Sequence, residues 1–393
     1  DSSALGGMYA GAIRLVASEA GVGVNLAGDM AASAGDIRID ANGFLSMARS
    51  AASGELLLNA QSIELNGDTY AGANARLNAT DEIYIAPAQH LAAAADLQLT
   101  AQALANDGDL QSGRNEAGDF NPASTLRIDA AQLLNRKQIT AHGTLGVMTQ
   151  SMVNHGGTLV GSQAVEINAA ELDNRNGQII AQQGLSLNGS SLDNRNGMLA
   201  SNQALAINLD GSLDNSADGL LFSKTGDLHV VADQVNNAGG IVQADQGALQ
   251  ITASSLDNRN GSIGAGAGSL QMAVADIDNR QGAMLASGGT LTSIGAQLNN
   301  QQGWLQGDSL DISASAVLDN NAGSLLATLG DVRLNSAQTV NESGQMLAQG
   351  NLLVSGTSLN NQSGTLGAQL VDLAMSEVLD NQGGLIEASD RMQ

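Results

Sequence analysis

The sequence predicts an all-β protein, a parallel β-helix solenoid with laps of about 20–21 residues. Three observations predict it. A phrase built on Leu-Asp-Asn and a glycine recurs at nearly constant spacing between residues 154 and 384. The stretches between its copies alternate apolar and polar residues, as in LSLNGSSLDN at 185–194, which sends successive side chains to opposite faces of a strand. The chain also carries 48 Gly, 2 Pro and an aromatic content of only 2 % within an apolar fraction of 43 %. That is too few rings for the core of a compact globule, but enough Ala, Leu, Ile and Val to line a repetitive interior.

The period is read by anchoring on the asparagine of the phrase: Asn154, Asn174, Asn194, Asn215, Asn237, Asn258, Asn279, Asn300, Asn320, Asn341, Asn361 and Asn381 lie 20 to 22 residues apart. Glycine follows three positions after eleven of these twelve anchors, at Gly157, Gly177, Gly197, Gly240, Gly261, Gly282, Gly303, Gly323, Gly344, Gly364 and Gly384; after Asn215 an extra residue moves it to Gly219. A unit this short cannot bury its own apolar side, so neighbouring units must stack. A leucine-rich horseshoe has a similar period, but it needs closely spaced leucines and a helical or extended return, and here the return is a second alternating strand. With a mean lap of about 20.6 residues, some nineteen laps would extend roughly 90 Å if every residue joined the coil.

Within SLDNRNG at 191–197, alternation points Leu192 and Asn194 inward and Asp193 and Arg195 outward. A buried asparagine is costly unless its amide is bonded. Laps stacked about 4.8 Å apart would supply the bonds as a side-chain ladder, so the twelve asparagines are expected to form a structural corner, with the glycines as its turns. Asn-Gly is also a strong turn signal. Asp and Arg columns, as at Asp257/Arg259 and Asp278/Arg280, are expected to offset stacked like charges. A second glycine position, as in Gly184, Gly247, Gly289 and Gly330, suggests another corner. Trp304, the sole tryptophan, is expected to be a packed ring.

Two domains are expected. Residues 151–393 carry the regular repeats, and residues 1–150 carry irregular coils of the same solenoid with a protruding insertion at 107–124. That insertion separates Asn106 from the next anchor, Asn135, by 29 residues, and long insertions in repeat proteins emerge as loops where binding tends to sit. Asp107, Asp109, Arg114, Glu116, Asp119 and Phe120 are its candidate binding residues. Pro87 marks a smaller excursion, and the lap with Asp218, Phe222, Lys224 and His229 a bulge or a patch.

The formal charge of −24 argues against nucleic acid and anionic lipid as direct partners. The absence of Cys removes disulfides and thiol chemistry. No apolar run is long enough to cross a bilayer, so no direct membrane insertion is expected of this stretch. The opening DSSALGG, with no initiator Met and no basic-then-apolar leader, reads as the start of an excised or processed fragment. His90, His142, His155 and His229 are not spaced as metal ligands. Neither a nucleophile elbow nor a phosphate loop occurs, nor the GGxGxD repeat of calcium-binding β-rolls. A polysaccharide-cleaving row on a β-helix surface would be invisible to spacing, but with Lys137 and Lys224 the only lysines and most Arg in the repeated corner, no enzyme activity, catalytic residue, metal or cofactor is expected.

The recurrent phrase resembles the filamentous haemagglutinin repeat of Gram-negative two-partner-secreted exoproteins, the filamentous adhesins and the stick-like effectors of contact-dependent growth inhibition. The likeness rests on Leu172/Asp173/Asn174/Gly177, Leu192/Asp193/Asn194/Gly197, Leu256/Asp257/Asn258/Gly261 and Leu318/Asp319/Asn320/Gly323, and it covers 1–150 only weakly. The segments Thr339–Asn341 and Val235–Gly240 depart from it. The resemblance implies a right-handed helix, export in unfolded form through an outer-membrane two-partner secretion transporter, and a secreted, cell-surface location. It further implies a shaft that presents a binding or toxin-delivery region to a target cell, with a target-cell surface protein or glycan as the partner of any adhesive segment. The alternative reading is an adhesin module that binds through 1–150, including 107–124.

Overall fold

The computed structural model describes residues 6–19 and 21–393; of the irregular segment 1–150, residues 1–5 and 20 therefore lie outside the described residues. The fold is an all-β parallel β-helix of stacked coils, with the right-handed winding that strand twist favours for parallel connections. Two compact units divide the chain, residues 1–190 and 191–393.

In the first unit the lap at 37–52 has three short strands, and each lap from Leu56 onward has a long strand and a short strand. Leu97–Asn106, Thr125–Asn135 and Thr144–Val153 stack in parallel register, so that Leu97, Leu126 and Leu145 form one buried column and Leu104, Leu133 and Met152 another. The short strands stack likewise, with Leu110, Ile139, Leu159 and Ile179 as their inner column. Each such side chain contributes roughly 1.5–3 kcal/mol when fully buried, and none can do so without the lap above and below it.

The early laps belong to the same stack. Ile13, Ile37, Leu56, Ala75 and Leu97 continue one inner column in register. These laps lack the Leu-Asp-Asn phrase for a visible reason: the corner column that becomes asparagine is first aliphatic, running Leu26, Met47, Leu65, Ile85 and only then Asn106 and Asn135. Pro87 sits in a tight turn closed by Gln89 N–H on the Ala86 carbonyl at 3.2 Å, with Ala88 left-handed at φ 60°.

The second unit repeats the plan. Leu249, Leu270, Leu291, Leu310, Val332, Leu352 and Val371 are one inner column; Val242, Ile263, Met284, Leu305, Leu325, Met346 and Leu366 are another. The extra residue after Asn215 is absorbed in the corner, where two consecutive residues, Ala217 and Asp218, are left-handed instead of one, and Gly219 regains the register. In that lap Phe222 is half-exposed, while Lys224 and His229 are exposed.

Trp304 is not packed. It opens a strand on the outer column that includes Ile241 and Ala283, and 47 % of it is exposed. The residue after the corner glycine points outward in lap after lap, and a large ring there has no interior to enter.

Candidate functional site

The corner asparagines are buried and bonded to one another. In the first unit Asn106 Nδ2 donates to Asn135 Oδ1 at 2.8 Å, Asn135 to Asn154 at 2.7 Å and Asn154 to Asn174 at 2.7 Å. In the second, Asn194, Asn215, Asn237, Asn258, Asn279, Asn300, Asn320, Asn341 and Asn361 each donate to the next asparagine, ending on Asn381, over 2.6–2.8 Å. From Asn154 onward each amide also reaches the carbonyl of the corner glycine in its own lap, as Asn154 does to Gly157 and Asn237 to Gly240, both at 3.2 Å; Asn135 reaches the Lys137 carbonyl instead, at 3.0 Å. From Asn106 to Asn361 these residues have 0 % exposure, so the ladder satisfies polar groups that water cannot reach. Asn106 starts it, and its Oδ1 has no donor because the preceding lap offers Ile85.

The turn chemistry is divided between two residues. The left-handed position is the one before the glycine: Asn176, Asn196 and Asn260 have φ of 54°, 53° and 57°, and Gln281, Gln302, Ala322, Ser343 and Ser363 adopt the same conformation. The glycine itself is needed for room. A Cβ on Gly261 would overlap the Asn237 carbonyl oxygen of the lap below and stand 2.6 Å from Asn258 Oδ1; Gly282, Gly303, Gly323, Gly344, Gly364 and Gly384 are equally confined, as are Gly177 and Gly240. Gly197 donates its N–H to the Asn194 carbonyl at 2.9 Å.

On the outer side of the corner, each arginine of the repeated phrase pairs first with the aspartate two residues earlier: Arg175 with Asp173, Arg195 with Asp193, Arg259 with Asp257 and Arg280 with Asp278, all at 2.6 Å. Arg195 then reaches Asp214 at 3.5 Å and Arg259 reaches Asp278 at 3.7 Å, tying adjacent laps. Hydrogen bonding from the Arg280 side chain, followed by its backbone N–H and charge and the charge of Arg259, holds the Asp278 carboxyl below the usual carboxylate range against the opposing effect of burial. A carboxylate whose pKa is lower folded than unfolded adds stability above the unfolded value and loses it as pH falls through the folded one. Asp278→Asn is accordingly expected to narrow its stability gap to the wild type as a denaturation series is carried from neutral to strongly acid pH. The neutral-pH gap is expected to be small, because the pair is largely solvent-screened.

The segment at 107–124 is only partly a loop. Asp107 is half-buried and structural, accepting from Arg136 Nη1 at 2.8 Å and from the Tyr84 hydroxyl at 3.2 Å. Asp109 lies in the strand Asp109–Ser112, in register with Gln138–Ala141, and pairs with His90 at 3.2 Å. The chain leaves the stack only at Gly113 and returns at Ser124, because 109–112 have the same inner and outer alternation as the short strands of the neighbouring laps.

What leaves is a small hairpin rather than a floppy excursion. Arg114 and Phe120 form an antiparallel bridge, Asn121 N–H bonds the Gly113 carbonyl at 2.8 Å, and Asn115 and Asp119 close the tip through paired bonds of 2.8 and 3.0 Å. Phe120 stacks on His142 of the next lap at 4.2 Å between ring centroids, yet 62 % of it is exposed; the Arg114 guanidinium lies 5.9 Å from its ring centre. Burial, and then the Arg114 charge, lower the His142 pKa and so favour the neutral imidazole against Phe120. Glu116 lies near Tyr70, whose hydroxyl pKa is raised by burial and by that carboxylate. Of the six candidate residues, Arg114, Glu116, Asp119 and Phe120 are together on the hairpin, and Asp107 and Asp109 are not.

Among the described residues no group of three or more His, Asp or Glu side chains is placed to hold a metal ion, and no helix is long and apolar enough to cross a membrane.

Stacked laps of this length with a glycine-backed asparagine corner define a β-helical repeat protein. A sequence model of the haemagglutinin repeat matches residues 123–217, 265–322 and 307–390, more than half of the chain, and the chain belongs to that family. It is 34 % identical over 174 residues to a 16S rRNA endonuclease CdiA of Enterobacter cloacae, covering 44 % of this chain and 5 % of that protein. It is 33 % identical over 150 residues to a tRNA nuclease CdiA of Yersinia mollaretii, covering 38 % and 5 %, and 62 % identical over 45 residues to a toxin CdiA of Yersinia pestis, covering 12 % and 1 %. The aligned part is thus a small fraction of these relatives' length. No solved structure matches the chain.

Proposed function

We propose that this chain is a non-enzymatic shaft segment of a large two-partner-secreted surface exoprotein. It is exported unfolded through an outer-membrane transporter and presents a binding or toxin-delivery region toward a target cell. The observation that carries this reading is the continuity of the inner columns within each unit. Even the lap interrupted by the hairpin keeps Asn106 opposite Asn135 and Ser112 opposite Ala141. A chain so built folds lap upon lap, each needing only its predecessor, which suits a polypeptide emerging end first. The similarity to proteins named as CdiA nucleases and toxins supports the same reading. In this reading 151–393 is the regular shaft and 1–150 its irregular part.

One observation favours the second reading, an adhesin module that binds a target-cell protein or glycan through 1–150. The 113–124 hairpin is held in shape by its own hydrogen bonds while displaying an exposed Phe120, and preorganisation of that kind lowers the cost of binding. Deleting 114–123 separates the two. The deletion leaves Gly113-Ser124 between Ser112 and Thr125, the same two-residue link that His142-Gly143 makes between Ala141 and Thr144 in the next lap. The shaft reading expects the β spectrum, export and target-cell attachment of the parent exoprotein to be unchanged. Loss of attachment with an intact β spectrum would replace it with the adhesin reading.

A further inference from the structure

The outward positions of the short strands of the second unit carry no charged side chain from Leu220 to Gly367. One outward column runs from Leu220 through Ile241, Ala283 and Trp304 to Thr365, its neighbour from Phe222 through Leu285 and Leu326 to Gly367, and the positions between are Ser, Gln, Leu or Gly. Ile241 is 45 % and Trp304 47 % exposed. The outer face of the long strands differs: Asp311 and Arg333 stand on it in adjacent laps. An uncharged strip of this extent, with large apolar side chains among small and amide ones, on a chain of net charge −24 marks an interaction surface.

We propose that this face seats a second copy of the chain, the two lying parallel and side by side. Three arguments select that occupant. Two chains of −24 repel wherever charged surfaces meet, so a face without charge is where copies can approach closely. Its area is sufficient for a weak pair: eight short strands about 4.8 Å apart and about 13 Å wide bury roughly 1,000 Å² between two copies, near the lower bound for a specific interface. The rims set the direction. Arg259 and Arg280 precede the strands on one side; beyond the opposite end lie Asp245, in the bend that follows its strand, and Asp308, within the continuous strand Trp304–Asp319. A two-fold axis along the stacking direction brings the arginine rim of one copy over the aspartate rim of the other, whereas antiparallel copies would set arginine against arginine. The arginines keep their own aspartates, so the rims choose orientation and the exposed apolar side chains of the face supply the attraction.

The sole tryptophan lies in the middle of the face and reports on it. In sedimentation velocity over a wide concentration series, the 393-residue chain is expected to approach a doubling of weight-average mass, with Trp304 emission moving to shorter wavelength in step. Leu285→Lys and Ile241→Lys are both expected to abolish the mass increase while keeping the β spectrum. Leu353→Lys, an outward substitution on the long-strand face, is expected to leave the increase intact. A mass that stays constant with concentration overturns the proposal, as does an increase that survives both lysine substitutions. An emission shift seen only on adding phosphatidylcholine vesicles would reassign the face to a lipid surface.

Discussion

Gly261→Ala is expected to destabilise the second unit by about 1–3 kcal/mol or more, although it adds a single methyl group and demands no left-handed dihedral. The added Cβ would overlap the Asn237 carbonyl oxygen and crowd Asn258 Oδ1 and Asn237 Nδ2. All three belong to the ladder, and the carbonyl is backbone, so relief requires two laps to separate locally or the rung to break. The companion substitution is Gly239→Asn. Gly239 is left-handed at φ 69° with open space around its Cβ position, and asparagine occupies the equivalent place at residues 196 and 260. Asparagine tolerates that conformation, so the variant should melt close to the wild type. Chemical denaturation of the two proteins is the measurement. An unchanged midpoint for Gly261→Ala would remove the close approach as the reason for the glycine.

The period and the fold class were legible because the corner repeats identical chemistry: an asparagine that must be bonded and a glycine that must be small leave the same letters in every lap. The early laps were less legible because their corner column is aliphatic. Leu26, Met47, Leu65 and Ile85 interchange freely where only volume matters, so no shared phrase survives. The excursion begins later than the run of charges from Asp107 suggests. Asp107 and Asp109 read as loop residues by charge, but Asp109 stands outward on a strand and Asp107 is held by Arg136 and Tyr84, partners too distant in sequence to be seen there. Residue type points Trp304 inward, since a lone large ring suggests packing; its place directly after Gly303 carries the better information, because that position faces outward in neighbouring laps. The division of labour in the turn, with the left-handed residue before the glycine, was concealed by Asn-Gly pairs and exposed by the laps that write Gln, Ala or Ser instead.

Asn258→Ala is expected to cost about 1–3 kcal/mol, with an additional loss for the space it empties. The wild-type amide accepts from Asn237 Nδ2 and donates to Asn279 Oδ1, both at 2.7 Å. After truncation the Asn237 amide keeps the Gly240 and Ser262 carbonyls at 3.2 and 3.3 Å, but Asn279 Oδ1 is a buried acceptor deprived of the side-chain donor below it. Asn258→Asp sharpens the argument because it preserves volume and the acceptor. At neutral pH a carboxylate would face the Asn279 oxygen in a fully buried column, and burial raises a carboxyl pKa. With the folded pKa above the unfolded one, stability falls as pH rises from the unfolded value through the folded value. The Asp variant should therefore approach the wild type in acid, where a protonated carboxyl can donate to Asn279, and depart from it toward neutrality. The gap to the wild type narrows in acid here as it does for Asp278→Asn, but for the opposite reason: a carboxylate at 258 destabilises near neutrality, whereas that of Asp278 stabilises. Denaturation midpoints across pH test both substitutions: an Asp variant as stable as the wild type at neutral pH, or an Ala variant with no loss, would mean that the ladder's hydrogen bonds do not hold the corner.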